Sequence, residues 1–456
     1  MVTRREFLQA SAAAGTALAG LTACTGGGDK GKGTAQEPPI PVPSAPILVV
    51  VNIDGGYDWL NVMPPTAGAN RSPYEALRPT LRIDAAATTD LGSGVGLNTD
   101  LSGLAELSSL GRIAWIPGIG MSNFSLSHFT AGDLWSQGAN IPGGNGWLGR
   151  FADTAFAPAG DVLRGITVTS DLPLMLRGAT RGFVSISNSS GYVFPAYLRG
   201  GKVASSTAHP AYSTTLLEDG WGTSLTTASP TGPSQGGYEA AMAMGKAFYD
   251  AQNDPAFGAN NQLPTRTPTV AYPGDAAYPI TRLDGGRLSS SLSSQLKLIA
   301  QMIASGLPGQ IYYARLGGWD THSNQATDHP NLQRALGGAL RAFYDDLKSI
   351  TTASGNAQDR VMIIGYSEFG RRAKENDGGT DHGTAGLAFA MGRAVRGGLY
   401  GAYPNLADLD TNGNMKYSAA ADFRSLYATV LDRWLGQATA TTNSLLGASY
   451  PRFGFL

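Results

Sequence analysis

The chain has 456 residues, with 33 Lys and Arg against 34 Asp and Glu, a formal net charge of −1 and a pI near 6.5. That balance lacks the basic footprint on which nucleic-acid binding depends, so no nucleic-acid partner is expected. A single cysteine excludes intramolecular disulfides and thiolate metal sites in the mature domain, and only 5 histidines are present.

The first 24 residues read "MVTRREFLQASAAAGTALAGLTAC". A charged start, a short Ala/Gly/Leu stretch and a small-residue end make a cleavable signal, too short to span a bilayer as an ordinary helix. The segment around Arg4 and Arg5 resembles a twin-arginine export signal, which implies the twin-arginine translocase as a partner. Leu21 to Cys24 resembles a lipobox, so Cys24 is expected to carry a lipid. Residues 25–46 are Gly-rich and then Pro-rich and read as a tether. The expected location is exported, periplasmic or at the cell surface, anchored to a membrane through that lipid.

The remaining residues, 47–456, suffice for one large α/β domain. "ILVVVNI" (47–53) is a continuous β-branched run, as in a strand buried on both faces. It runs into "DGGYDWLN", which carries Asp54, Asp58 and Asn61. Residues 112–118 form a second strand, 125–138 a loop entering a helix, and 146–156 a short helix. Strands follow at 165–170 and 181–187. Residues 190–285, rich in Gly, Ser, Thr, Pro and Tyr, read as an insertion or cap with one helix near 238–253. Residues 289–305 place Leu292, Leu296, Ile299 and Ile303 on one helical face. A strand at 309–318 leads to Asp320 and His322, and a helix covers about 330–349. A strand at 360–371 runs into a loop, a further strand covers 386–392, and a late helix covers 423–436. Strands alternating with helices predict a doubly wound, mainly parallel sheet with ligands at the carboxyl ends of its strands.

Polar clusters follow four of these strands: Asp54/Asp58/Asn61, Asp320/His322, Ser367/Glu368/Arg371 and Asp381/His382. A fifth, Ser125/Ser127/His128, lies where a loop enters a helix. Carboxylates with neutral imidazoles suit zinc, manganese or iron where thiolates are absent. Asp320 and His322, two apart, leave the same face of an extended segment. Asp381 and His382 need a loop, which Gly379 and Gly383 supply. Each cluster by itself reads equally well as helix capping or as a histidine satisfied by a carbonyl. Together, Asp320/His322 and Asp381/His382 point to a shared site. Arg371 suits bidentate oxyanion binding. Ser127 at a helix start is a nucleophile candidate or a plain N-cap, with Ser125 as the alternative. His209 reads as incidental and His329, before Pro330, as a helix-start residue. "DLDTNGN" (408–414) lacks the twelfth-position carboxylate of a calcium loop and reads as a turn at Asn412 and Gly413.

In order, "DGGYDWLN", "SHFTAGDLW", "GWLGRF", "GGWDTHSNQ", "SEFGRRAKENDGGTDHG" and "DFRSLYATVLDRWLG" resemble the exported bacterial family called domain of unknown function 1501. That family is placed in the alkaline-phosphatase-like superfamily. The resemblance implies an alkaline-phosphatase/sulfatase-like fold holding divalent metal ions, zinc foremost. It implies hydrolysis of phosphate or sulfate esters of small molecules or glycans, by attack of Ser127. Asp54 or Asp58, Asp320, His322, Asp381 and His382 would hold the metals. Glu368 would take the place of a later histidine, since none follows His382. The alternative is a non-catalytic envelope protein whose reduced metal site binds a glycan or a protein partner.

Overall fold

The computed structural model describes residues 38–156, 162–180, 183–187, 196–198, 202–204 and 263–456. The signal with Arg4, Arg5 and Cys24, most of the tether, the helix near 238–253 and His209 lie outside them. No helix among the described residues is long and apolar enough to cross a membrane.

The eight strands of the main sheet are β1 (Ile47–Ile53), β2 (Ile113–Ile119), β3 (Gly165–Thr167), β4 (Val184–Ser185), β5 (Ile311–Leu316), β6 (Val361–Tyr366), β7 (Gly386–Met391) and β8 (Gly398–Leu399), ordered β8-β2-β7-β6-β1-β5-β3-β4. From β6 to β4 all pairs are parallel; β7 runs antiparallel to both its neighbours, β6 and β2. Strand β1 is central, with Val50 paired to Ile364 on one side and Tyr313 on the other.

The alternation of side chains along β1 divides the core in two. Ile47, Val49, Val51 and Ile53 join one apolar cluster, and Leu48 and Val50 the other. The first is covered by helices α1 (Ser102–Ser109), α2 (Ser291–Ala304) and α3 (Gln325–Leu347), through Leu104, Leu296, Ile299, Leu340 and Phe343. The second is covered by α4 (His128–Gln137), α5 (Trp147–Ala155) and α6 (Phe423–Thr429), through Trp135, Trp147, Phe151, Leu426 and Tyr427. Each fully buried Val, Leu or Ile contributes roughly 1.5–3 kcal/mol over its exposed state. Strand β1, apolar but for Asn52, therefore belongs where helices protect both faces.

The fold class read from the sequence is what the structure has: a mixed, mostly parallel sheet with helices on both sides. Most elements fall within a few residues of their expected bounds. Three differences have physical causes. Helix α3 starts at Gln325, ahead of Pro330, and encloses His329, which is 2% exposed. Pro330 is its sixth residue, so the ring costs only an early backbone hydrogen bond to the Ala326 carbonyl. His329 is thus a core residue rather than a helix-start one. After β6 the chain forms a charged hairpin, Gly370–Glu375 with Thr380–Gly383, instead of a plain loop. The late helix loosens after Thr429 into a π-helical turn over Val430–Trp434. Residues 408–414 form the expected turn: Asp410 Oδ1 accepts from the N–H groups of Asn412 and Asn414, and Gly413 has φ +78°.

Candidate metal centre

Strands β6, β1 and β5 are adjacent and parallel, so their carboxyl ends open on one edge. That edge collects Ser367 and Glu368 after β6, Asp54 after β1, and Asp320 and His322 after β5. Gly55 makes the close approach possible. Its φ is +126°, and a Cβ there would lie 2.6 Å from the Asp320 backbone nitrogen. The hairpin brings Asp381 and His382 over the same edge. Gly379 has the same role on that side, since a Cβ would lie 2.3 Å from the His322 carbonyl carbon.

At the centre stands Asp320. Its Oδ1 lies 3.0 Å from His322 Nε2 and 3.0 Å from His382 Nε2, and those two nitrogens are 3.0 Å apart. His128 Nε2 lies 3.3 Å from Asp320 Oδ2. Donor atoms of His128, Asp320 and His382 all fall within 4.8 Å of one another. Phe369 backs the rings, 4.6 Å from His382 and 4.9 Å from His128 between centroids.

The outer nitrogens fix the tautomers. His382 Nδ1 is 2.8 Å from the Leu126 carbonyl, which can only accept. His128 Nδ1 is 2.7 Å from Glu368 Oε1, and His322 Nδ1 is 3.4 Å from Asp381 Oδ1. With the proton on Nδ1, a neutral ring turns a bare Nε2 towards a carboxylate that is itself only an acceptor. Such an arrangement is repulsive unless a proton or a cation lies between. His128 Nε2 is moreover buried and without a hydrogen-bond partner. Donors about 2 Å from one ion, at angles near 90–110°, lie roughly 3.0–3.3 Å apart, which is the spacing of each Nε2 from an Asp320 oxygen. His128, Asp320 and His382 could therefore hold a divalent cation, with His322 Nε2 beside them at 3.0 Å from Asp320 Oδ1, and the His128 and His382 rings are oriented through their far nitrogens.

Electrostatics favour the ionised form of Asp320. Burial works against charge on Asp320, but the hydrogen bond and charge of Arg371, together with the neighbouring His382 and His322 rings, outweigh it. They hold the carboxyl well below the usual range. The hydrogen bond to Glu368 raises His128 above the ordinary imidazole value, against the opposing effect of burial. Asp54 is half-buried, and burial followed by the neighbouring Glu368 charge pushes its carboxyl up.

The sequence-predicted residues divide accordingly. Asp320, His322 and His382 come together, with Asp381 one step out, bonded to Asn376 at 2.8 Å. Glu368 is not a direct donor to the cluster. It is 5% exposed and accepts from the Gly55 N–H at 3.0 Å and the Ser367 hydroxyl at 3.0 Å, leaving it to orient His128. Asp58 is not at the centre at all. It is fully buried, paired to Arg78 at 2.5 and 2.9 Å and to Gln325 Nε2 at 2.5 Å, which uses its lone pairs. Arg371 does not face an incoming oxyanion. Its side chain is buried and donates to the carbonyls of Gly55, Gly56, Trp319 and Thr380 and, at 2.5 Å, to Asp320. Ser127 is the N-cap of α4 and exposed, its side chain making no cap bond.

His128, in the fifth cluster, is a donor that a reading centred on Ser127 leaves out; the scarcity of histidine is the signal that marks it. Gln325 gave no signal. Its Oε1 accepts from Thr321 and Thr380, at 3.1 and 2.7 Å, and so ties both ligand-bearing segments to Asp58.

No curated protein matches the chain. Among solved structures, the alkaline phosphatase of the Antarctic bacterium TAB5 is 11% identical, covering 80% of this chain and 96% of that one, with a TM-score of 0.29. The alkaline phosphatase of Thermus thermophilus is 11% identical over 73% and 61%, with a TM-score of 0.29. An alkaline-phosphatase-superfamily protein of Vibrio parahaemolyticus is 9% identical over 82% and 65%, with a TM-score of 0.26. At such scores no residue's role is taken from them. Residues 298–445 match the model of the family described as "Protein of unknown function (DUF1501)", so the resemblance read from the motifs is shown over the stretch that carries Asp320, His322, Glu368, Asp381 and His382.

Proposed function

We propose that the protein is a metal-dependent hydrolase of phosphate or sulfate esters. The observation that supports this most is the convergence of three imidazole Nε2 atoms on the Asp320 carboxylate. His128, His322, His382 and Asp320 would hold a divalent ion, zinc being the first choice for a nitrogen-rich set without thiolates. A bound ion supplies Lewis acidity towards an ester oxygen. Glu368 and Asp381 keep the His128 and His322 rings in place from behind, and Arg371 keeps Asp320 ionised. Ser127, with an uncommitted hydroxyl beside His128, would attack phosphorus or sulfur, forming a serine ester and releasing the alcohol. Water would then hydrolyse that ester. Asp320, His322 and Asp381 are almost half-exposed, so a bulky substrate, a glycan ester included, can reach the centre.

A second reading is kept by one observation. Among the described residues a single compact donor cluster is found, and Arg371 is bonded to its carboxylate and to backbone carbonyls rather than open to an oxyanion. A reduced centre of that kind suits a non-catalytic protein that binds a glycan or a protein at the envelope. Metal analysis of natively exported protein, followed by turnover on a panel of esters, separates the two. The hydrolase reading expects bound metal, turnover, and a phosphoserine or sulfoserine at Ser127 after acid quench. Ser127→Ala should keep the metal and lose activity by up to about a millionfold, as where catalytic groups act as a unit. Full metal with no turnover of any ester would favour the binding protein.

Arg4, Arg5 and Cys24 support export through the twin-arginine translocase followed by lipid anchoring. Cys24→Ser is expected to move the protein out of the membrane fraction, as fractionation and blotting would show. A processed, lipid-bearing Cys24→Ser protein would refute the anchor.

A further inference from the structure

At the opposite end of the sheet is a cavity of about 450 Å³. Its wall takes in Ile47, which begins β1, and Gln310, Arg164 and Arg360, which immediately precede β5, β3 and β6. Four adjacent parallel strands thus begin at its floor, and the metal centre lies beyond their other ends.

Two guanidinium groups face this recess without a carboxylate. Arg164 donates from Nη2 to Gln310 Oε1 at 2.6 Å and lies over the Phe156 ring at 4.3 Å. Arg360 donates from Nε to the Ala45 carbonyl at 2.9 Å and from Nη1 to Thr352 Oγ1 at 3.0 Å. All these partners are neutral, and no described acid pairs with either arginine. Arg360 feels the consequence: burial lowers its pKa. The cavity also exposes Ser44, Thr352 and Ser354. Beneath its Gly309 wall lies Tyr312, 0% exposed, whose hydroxyl has no hydrogen-bond partner. A β-carbon on Gly309 would lie 2.1 Å from that hydroxyl. Two unneutralised guanidiniums in a half-enclosed recess, with hydroxyl donors around them, are complementary to a tetrahedral oxyanion. Leu307 and Pro308 supply an apolar wall for the rest of such a molecule.

We propose that this cavity is a binding site for a phosphate-headed ligand, held by Arg164 and Arg360 and separate from the metal centre. The chemistry is shared by a free phosphate compound and a phospholipid headgroup. Ser44 and Ala45, at the end of the tether that leads to Cys24, line the cavity, which places a headgroup within the range of sources.

The test uses the full mature chain carrying Asp320→Asn, so that phosphate at the metal centre does not contribute. Calorimetry with inorganic phosphate and co-sedimentation with phosphatidylglycerol or phosphatidylcholine vesicles are the two arms. Arg164→Gln with Arg360→Gln should weaken binding about tenfold or more, the effect of losing charge-assisted hydrogen bonds. Ser354→Asp, an exposed position at the mouth, should weaken it too without removing a guanidinium contact, which guards against a mere folding defect. Arginine-dependent binding of inorganic phosphate supports the site with a free ligand. Arginine-dependent binding of phosphatidylglycerol vesicles alone supports it with a headgroup. Binding that all variants retain, or none in either arm, overturns it. In the chain with Asp320 intact, the two Arg substitutions should leave metal content unchanged.

Discussion

Asp320→Asn is expected to lower metal affinity by at least ~100-fold, since loss of groups that merely orient ligands already costs ~10–100-fold. Asp320 is the one anion that all three imidazoles face, at 3.0 to 3.3 Å. An amide there removes the negative charge and can present N–H groups to the bare Nε2 atoms. Arg371 keeps its four carbonyl acceptors, so the fold should persist. Glu368→Gln should cost less, within ~10–100-fold, because it only orients His128. Competition with a chromogenic chelator, with circular dichroism to confirm folding, measures both. Equal occupancy in Asp320→Asn and wild type would show that the histidine cluster is not a metal centre.

The other large effect concerns stability. Arg78→Met should destabilise the protein by about 3–5 kcal/mol, the cost of stranding one partner of a buried ion pair. Asp58 and Arg78 are both 0% exposed, and nothing else cationic contacts Asp58 directly. Arg78→Met combined with Asp58→Asn should cost less than Arg78→Met alone, because no charge is then stranded. Urea unfolding decides it; a single-mutant loss below about 1 kcal/mol would mean that water or a rearranged chain reaches Asp58. His329, close to the pair, adds a pH dependence. Burial, the largest cause, pushes it down to about 4, while the Asp58 charge partly opposes this. Folded protein keeps the ring neutral, whereas unfolded chain takes up a proton below about pH 6.5. Stability from this residue is therefore intact above about pH 6.5 and falls towards pH 4, at most ~1.4 kcal/mol per unit.

Much of this was legible in the sequence. Strand β1 announced itself because a strand covered on both faces has no polar alternation to dilute its apolar run. The convergence of Asp320/His322 with Asp381/His382 followed from clusters placed after strands. The antiparallel direction of β7 was not legible, since "GLAFAM" is equally apolar read either way. Nor was the hairpin before it, because Arg372, Lys374 and Glu375 look like a solvated loop until pairing is known. Asp58 and Asp54 are four residues apart in one loop, and only the position of Arg78, twenty residues on, decides which of them is neutralised in the core. Arg371 has the right chemistry for an anion, but burial spends it on backbone carbonyls. Long-range pairing of this kind leaves no local pattern.

The candidate metal donors run from His128 to His382, and their orienting partners include Leu126, Glu368 and Asp381. No short piece of the chain contains such a set. An ion could be captured with full affinity only after α4, β5, β6 and the hairpin have assembled. The timing of metal capture is therefore set by folding. A chain that crosses the membrane already folded would choose its ion from the cytoplasmic supply, and the ion it carries would record the compartment in which it folded.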